Sequence, residues 1–311
     1  MHHIFTDNPL DRGDTARRDE EWLRQTALDV NSKILPMWRL TIPLQYSKGS
    51  VSLRWASMAS TKLSPESNTL FLGLRGGISH FAVDISQYED PSSAPGLDST
   101  WKFEEARTAA TILSVDETGI IAQARAQIHW HSTHKYCGAC GNLTYQRRGG
   151  QIRTCQKCKQ DHFPRTDPVV IAVIEHNDMC LLGQSRGRLS QMSMYSALAG
   201  FVDQGESIEE AVRREVMEEA GIEVGQVLYH SSQPWPFPHS LMIGCHGIAL
   251  TTDIKKDEEE MTDVRWFARA DVLSALDLNH DHLNVPQPMA IAHHLIRSWA
   301  EGDVPLTEPN T

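Results

Sequence analysis

The stretch Gly200–Ile222, GFVDQGESIEEAVRREVMEEAGI, constrains this chain more than any other part of its sequence. It reads as a loop followed by a helix over Ile208–Ala220. On that helix Glu215 is spaced from Glu218 and Glu219 so that all three carboxylates come to one place. Carboxylates packed that closely repel one another unless something cationic lies between them. Hard divalent cations such as Mg²⁺ prefer carboxylate oxygens and share their remaining positions with substrate phosphates. Gly200 lies where the loop backbone must come close to a ligand, and Gly221 falls at the left-handed cap position just after the last turn. An acid-rich helix face is ordinarily a solvated one. The fixed spacing of so many positions sets this one apart.

Four of the 6 cysteines form two C-x-x-C pairs, Cys137 with Cys140 and Cys155 with Cys158. This spacing is a zinc-ribbon pattern, in which two knuckles supply a closed tetrahedral set of thiolates. A closed ligand set makes this zinc structural. Disulfides fit poorly, because the N-terminal MHHIFTDNPLDR lacks the apolar core of a signal peptide. Cys180 and Cys245 lie in apolar runs and read as buried thiols.

The 311 residues favour two or three compact units, and 40% hydrophobic content describes a globular chain with no run long enough to span a membrane. A cytoplasmic location is the expectation. The formal net charge of -11 argues against broad binding to nucleic-acid backbones, which needs many Lys and Arg contacts. It leaves room for docking one nucleotide end in a metal-filled pocket.

Three segments follow: an N-terminal domain over 1–131, the ribbon over 132–163 and a last domain over 164–302. In the first, helices are expected at Glu20–Asp29, Phe103–Leu113 and Glu117–His131. Strands are expected at Trp38–Leu44, Val51–Trp55, Leu70–Leu74 and His80–Ile85. In the last, strands over Pro168–Glu175, Met179–Gln184, Val227–His230, Leu241–Thr251 and Val264–Phe267 alternate with helices, and Leu198–Val202 leads into the acidic stretch. Asp271 is expected to cap a short helix, and Met289–Ala300 closes the domain as another. The class is α/β (α+β). His131, His134, His293 and His294 read as non-catalytic, since a four-cysteine site needs none of them.

The acidic stretch matches the Nudix box position by position: Gly200, Glu206, Arg214, Glu215, Val216, Glu218, Glu219, Gly221 and Ile222. SQPWPFPHS at Ser232–Ser240 resembles the motif that marks the NADH pyrophosphatase (NudC-type) branch of that family, and a preceding ribbon belongs to the same branch. The resemblance covers almost the whole chain. It implies a Nudix α/β/α sandwich preceded by a four-cysteine zinc ribbon and an N-terminal α+β domain. It also implies hydrolysis of the diphosphate of NAD⁺ or NADH to nicotinamide mononucleotide and AMP, with removal of NAD caps from RNA 5′ ends. Cleavage of ADP-ribose or another nucleoside diphosphate derivative, and a non-catalytic nucleotide- or RNA-binding module, are the alternatives.

Carried over by position, the resemblance implies Mg²⁺ or Mn²⁺ on Glu215, Glu218 and Glu219, with Ala199 and Glu260 as further ligands. Arg214 then orients the carboxylates. Phe163, where the family often has Tyr, and Phe201 stack on the nicotinamide. The counterpart of Phe163 comes from a second subunit, which implies a homodimer. Gln233, Pro234, Trp235, Pro236, Phe237, Pro238, His239 and Ser240 form the substrate loop, its prolines holding it extended. Ala292 offers a backbone contact, and Arg107 corresponds to a substrate-contacting arginine.

Overall fold

The structure is a computed structural model and describes residues 3–57, 69–187, 190 and 193–304. The chain divides into two compact units: Met1–Thr166 with Trp235–His239, and Asp167–Pro234 with Ser240–Thr311.

The first unit contains helices α1 (Glu20–Leu28), α2 (Ala106–Ile112) and α3 (Val115–Thr133). Its strands are β1 (Lys33–Met37), β2 (Ile42–Ser47), β3 (Ser50–Leu53), β4 (Ala56–Ser57), β5 (Thr69–Arg75), β6 (Ile78–Asp84), β7 (Lys102–Glu104), β8 (Thr144–Arg147), β9 (Ile152–Cys155) and β10 (Asp161–His162). They form sheets of order β4-β1-β6-β5, β3-β2-β7 and β10-β9-β8. Asp19 caps α1 by accepting from the main-chain N–H groups of Glu21 and Trp22, and Leu23 and Ala27 then reach Ile34, Phe71 and Phe81 in the core.

The strand expected over Trp38–Leu44 is broken. Trp38–Thr41 is a turn between β1 and β2, with Arg39 at φ 50 and Leu40 at φ 63. Tertiary hydrogen bonds hold it, from Trp38 Nε1 to the Tyr88 carbonyl (2.9 Å) and from Arg39 N to Ser86 Oγ (2.8 Å). The helix expected from Phe103 begins at Ala106 instead, because Lys102–Glu104 pairs with β2 and the Glu105 carboxylate caps the N–H of Arg107 at 2.7 Å. His131 is buried between α3 and the ribbon. Its Nε2 meets the Gly150 carbonyl at 2.8 Å, its Nδ1 meets Arg153 at 2.8 Å, and burial pushes it down to about 4.

The second unit is built from β11 (Asp167–His176), β12 (Met179–Ser185), β13 (Leu198–Phe201), β14 (Val224–Trp235), β15 (Ser240–Ala249) and β16 (Met261–Ala268). Helices α4 (Ile208–Ala220), α5 (Arg269–Leu276) and α6 (Ile291–Glu301) cover the sheet. The sheet order is β14-β15-β11-β12-β16, with β13 also on β11. β11 runs parallel to β15, while its other edge takes β13 along Val169–Ala172 and β12 along Ile174–His176. Alternation along β11 sends Val170, Ala172 and Ile174 to the core shared with α4, and Ile171 and Val173 to the core shared with α5 and α6. Two buried faces explain why the run is apolar throughout. Cys180 and Cys245 are fully buried, as expected of core thiols. Ala268, not Asp271, precedes the first turn of α5, and Asp271 lies within that turn. No helix among the described residues is long and apolar enough to cross a membrane.

Candidate active site

α4 is set by its ends. Ser207 and Glu210 form a reciprocal capping box at its start, and Gly221 closes it in the left-handed conformation at φ 69. Val212, Val216 and Ala220 face the sheet, and Glu215 and Glu219 lie one turn apart along the edge of that buried stripe. Glu219 is buried, Glu215 half-buried and Glu218 exposed.

Gly200 stands on strand β13, not in a loop. A Cβ there would fall 1.9 Å from Cδ of Glu215, so the missing side chain is what gives the Glu215 carboxylate its place. Val202 N donates to the Pro168 carbonyl at 3.1 Å, and the antiparallel register pairs Ile171 with Ala199. Alternation then turns the main-chain polar groups of Ala199 away from β11. The N–H of Ala199 donates to the Glu219 carboxylate.

Arg214 holds the acids in order. Its Nε donates to Glu206 Oε1 at 2.6 Å, one terminal nitrogen reaches both Glu215 and Glu218 at 2.9 Å, and the other meets the Phe201 carbonyl at 2.8 Å. The bonds from Arg214, with that from the N–H of Asp203, hold the Glu206 carboxylate down at about 2. Glu206 is the residue whose role sequence reasoning missed, and its fixed place in the box was the available signal.

Among the carboxylates of the site, Glu219 is shifted furthest. Burial, then the charges of Glu215 and Glu260, push its carboxyl up to about 8, against the opposing bond from Ala199. Its Oε2 is buried with no hydrogen-bond partner. Burial raises Glu215 as well, with Glu218 and Glu260 adding to the rise. Glu260 lies just before β16, where its carbonyl accepts from Arg186 N at 2.9 Å and its N–H donates to Asp257 at 2.9 Å. The buried Glu219 oxygen without a donor, faced by the charges of Glu215 and Glu260, fits a hard cation. Glu215, Glu218, Glu219 and Glu260 are the residues that would hold it.

The four ribbon cysteines fit zinc on separate grounds. Their sulfurs all lie within 4.8 Å of one another, with Cys137–Cys158 at 3.6 Å and Cys140–Cys155 and Cys140–Cys158 at 3.5 Å. A tetrahedron of Zn–S bonds has an edge of ~3.8 Å.

The proline-rich loop differs from its expected extended form. Ser232–Trp235 continues β14, and Pro236–His239 is a tight turn with a cis Phe237–Pro238 peptide. In the first unit Trp235 and Phe237 pack edge-on against Phe5 at 6.0 and 5.7 Å. The Arg107 and Arg125 guanidinium groups lie over Phe237 at 3.9 and 4.5 Å, and Arg125 donates to the Pro236 carbonyl. No sequence signal singled out Arg125, which lies inside α3. His239 is half-buried near His129, Pro238 is exposed, and Pro234 and Ser240 are half-buried.

Gln233 is fully buried in the second unit. Its amide donates to the Met289 carbonyl at 2.9 Å and accepts from Ile291 N at 2.8 Å, which anchors the start of α6. That occupation turns it inward from the loop surface. Ala292 is buried in the same helix. His293 and His294 bond the carbonyls of Pro286 and Pro288, both at 2.8 Å. Phe163 in the first unit and Phe201 in the second are both exposed.

A NUDIX domain matches residues 165–287, and an NADH pyrophosphatase-like rudimentary NUDIX domain matches residues 31–130. The chain is 46% identical over 198 residues to the NAD-capped RNA hydrolase NUDT12 of Macaca fascicularis, covering 60% of this chain and 42% of the relative. It is 34% identical to Nudix hydrolase 19, chloroplastic, of Arabidopsis thaliana, over 86% of this chain and 75% of that protein. It is also 34% identical to the NAD-capped RNA hydrolase NudC of Stutzerimonas stutzeri, over 75% and 80% respectively. The chain thus spans less than half the length of the first of these relatives and most of the other two. It belongs to the Nudix hydrolase family, joining an NADH pyrophosphatase-like rudimentary NUDIX domain to a NUDIX domain.

Proposed function

We propose that this chain is a divalent-cation-dependent diphosphatase that splits NAD⁺ or NADH into nicotinamide mononucleotide and AMP, and that it also removes NAD caps from RNA 5′ ends. The observation that carries the reading is the Glu219 carboxylate: buried, short of one hydrogen-bond partner and faced by Glu215 and Glu260. A charge in that place is stable only beside a cation. A bound Mg²⁺ or Mn²⁺ supplies charge for the diphosphate and acidifies the attacking water.

The chain's own residues do the rest. Arg214, itself fixed by Glu206, keeps Glu215 and Glu218 in one orientation. Ala199 N–H holds one side of Glu219. Phe163 and Phe201 offer exposed rings for the nicotinamide, at ~1–3 kcal/mol per stacked ring by analogy with bases. The cis-turn aromatics, with Arg107 over Phe237, present a preformed surface for the nucleotide. In this reading zinc fills the four-cysteine site, the segments 1–131, 132–163 and 164–302 act as domains, and the protein works as a cytoplasmic homodimer. The names of the relatives that act on NAD-capped RNA or NAD(P)H support the substrate class.

The test is Glu219→Gln. It should fold, keep zinc and lose NADH hydrolysis, and turnover near that of the unsubstituted protein would sink the assignment. A panel of NADH, NAD-capped RNA and ADP-ribose under Mg²⁺ and Mn²⁺ sets the substrate. A clear preference for ADP-ribose would remove the nicotinamide stack from the account.

A further inference from the structure

Charge is spread unevenly along this chain. Against a net charge of -11 overall, His134–Thr166 carries seven Lys or Arg and one acid, Asp161. Four thiolates around a zinc ion leave that excess positive. The same segment exposes aromatic and apolar side chains: Tyr136 at 66%, Leu143 at 49% and Tyr145 at 41%.

The backbone places these side chains in one row. Tyr136 and Leu143 face each other in an antiparallel bridge, so their side chains share a face. Leu143, Tyr145 and Arg147 follow at a spacing of two along extended chain, which keeps them on that face. Arg147 and Arg148 are both exposed, with the Arg147 guanidinium 3.7 Å from Glu20. The second knuckle joins the row where Gln156 N donates to the Leu143 carbonyl at 3.0 Å. The Lys159 ammonium donates to the Gln156 carbonyl at 2.7 Å, which brings a cation to the edge of the row.

Two tyrosine rings and a leucine on one face leave apolar surface in water. Set among lysines and arginines, it matches single-stranded nucleic acid, whose bases stack on aromatic faces while its phosphates meet the cations. We propose that the ribbon row Tyr136–Leu143–Tyr145–Arg147 binds the body of a single-stranded RNA by stacking and phosphate contact. This goes beyond the diphosphatase reading and does not depend on it, because the ligand contacted here carries no NAD.

The experiment uses the full chain and a short, fluorescently labelled, 5′-phosphorylated single-stranded RNA, with anisotropy measured across a salt titration. The unsubstituted protein should bind with an affinity that falls as salt rises. Tyr136→Ala with Tyr145→Ala should weaken binding by about tenfold or more. Tyr136→Phe with Tyr145→Phe should restore it, and Lys159→Gln should flatten the salt slope. NADH turnover and zinc content should be unchanged in all three. Equal binding by the alanine pair and the unsubstituted protein would overturn the proposal, as would absence of binding by the latter. So would a change of oligomeric state in the alanine pair with RNA affinity intact, which assigns the row to a second copy of the chain. Failure of the unsubstituted protein to hydrolyse NADH would break the diphosphatase reading alone, and the anisotropy would still decide this one.

Discussion

The two sets of candidate metal ligands are built in opposite ways. The four ribbon sulfurs lie within 4.8 Å of one another, and among the described residues no other group of three or more His, Cys, Asp or Glu ligand atoms converges so closely. Local turns do that work: Cys137 N bonds the Asn142 carbonyl at 2.8 Å, and Cys155 N bonds the Gln160 carbonyl at 2.9 Å. The carboxylates come from α4 and from the turn before β16, and burial, then their neighbours' charges, raise Glu215 and Glu219. Short local turns bring the sulfurs together, whereas carboxylates gathered from distant segments repel one another unless a cation lies between them.

The largest expected effect lies on the sulfur side. Cys155→Ala removes one of four ligands, and structural zinc is worth on the order of 10 kcal/mol in small ribbon-like peptides. We expect zinc measured by atomic absorption to fall to a trace, with a lower melting temperature. Full zinc retention would show that the cysteines do not work as one set.

Glu219→Gln is next. It should reduce kcat by about a thousandfold, or ~4 kcal/mol, while leaving zinc in place. In the metal-free protein the same change removes a repelled carboxylate, so the melting temperature should rise, and the further rise on adding Mg²⁺ should shrink. Gly200→Ala should follow at roughly a hundredfold loss of kcat, because a Cβ 1.9 Å from Cδ of Glu215 forces that carboxylate to move. Normal activity of the Gly200→Ala variant would mean that the Glu215 position seen here is not the working one.

The same contrast decides what could be read from the sequence. The ribbon ligands follow from spacing, since each knuckle is built by a few consecutive residues. The left-handed cap at Gly221 was legible for the same reason. At Gly200 a close backbone approach was legible, but to a ligand and not to Glu215, and the strand was hidden because β13 is set by its register with β11. The turn at Trp38–Thr41 was hidden, since Trp-Arg-Leu-Thr contains no turn-forming residue and the hydrogen bonds that hold it come from Ser86 and Tyr88. Gln233 sat in a conspicuous motif, yet its burial depends on Met289 and Ile291, far along the chain. The net charge of -11 was legible too, but a whole-chain sum concealed the positive ribbon.

The smallest effect compares a buried base with a buried acid. His246 is almost wholly buried, neither ring nitrogen has a hydrogen-bond partner, and burial, then His230, pushes it down to about 3. Its folded pKa lies below the unfolded value, so the unfolded chain binds the extra proton as the solution turns acidic. The stability it contributes is present above about pH 6.5 and is lost as pH falls toward 3. Glu219 has the opposite sign in metal-free protein. With its folded pKa raised from 4.5 to about 8, its contribution is full below 4.5 and is lost as pH rises through 8. Unfolding in urea across pH, without divalent ions, should show both arms. Moving from pH 7.5 to 5.5 should cost wild-type protein roughly 1 kcal/mol more than it costs His246→Leu. Glu219→Gln should flatten only the alkaline arm, and Mg²⁺ should do the same without the substitution. An acid arm identical in wild type and His246→Leu would mean that the imidazole meets water in solution. An alkaline arm indifferent to Mg²⁺ would mean that the buried carboxylate does not hold the ion.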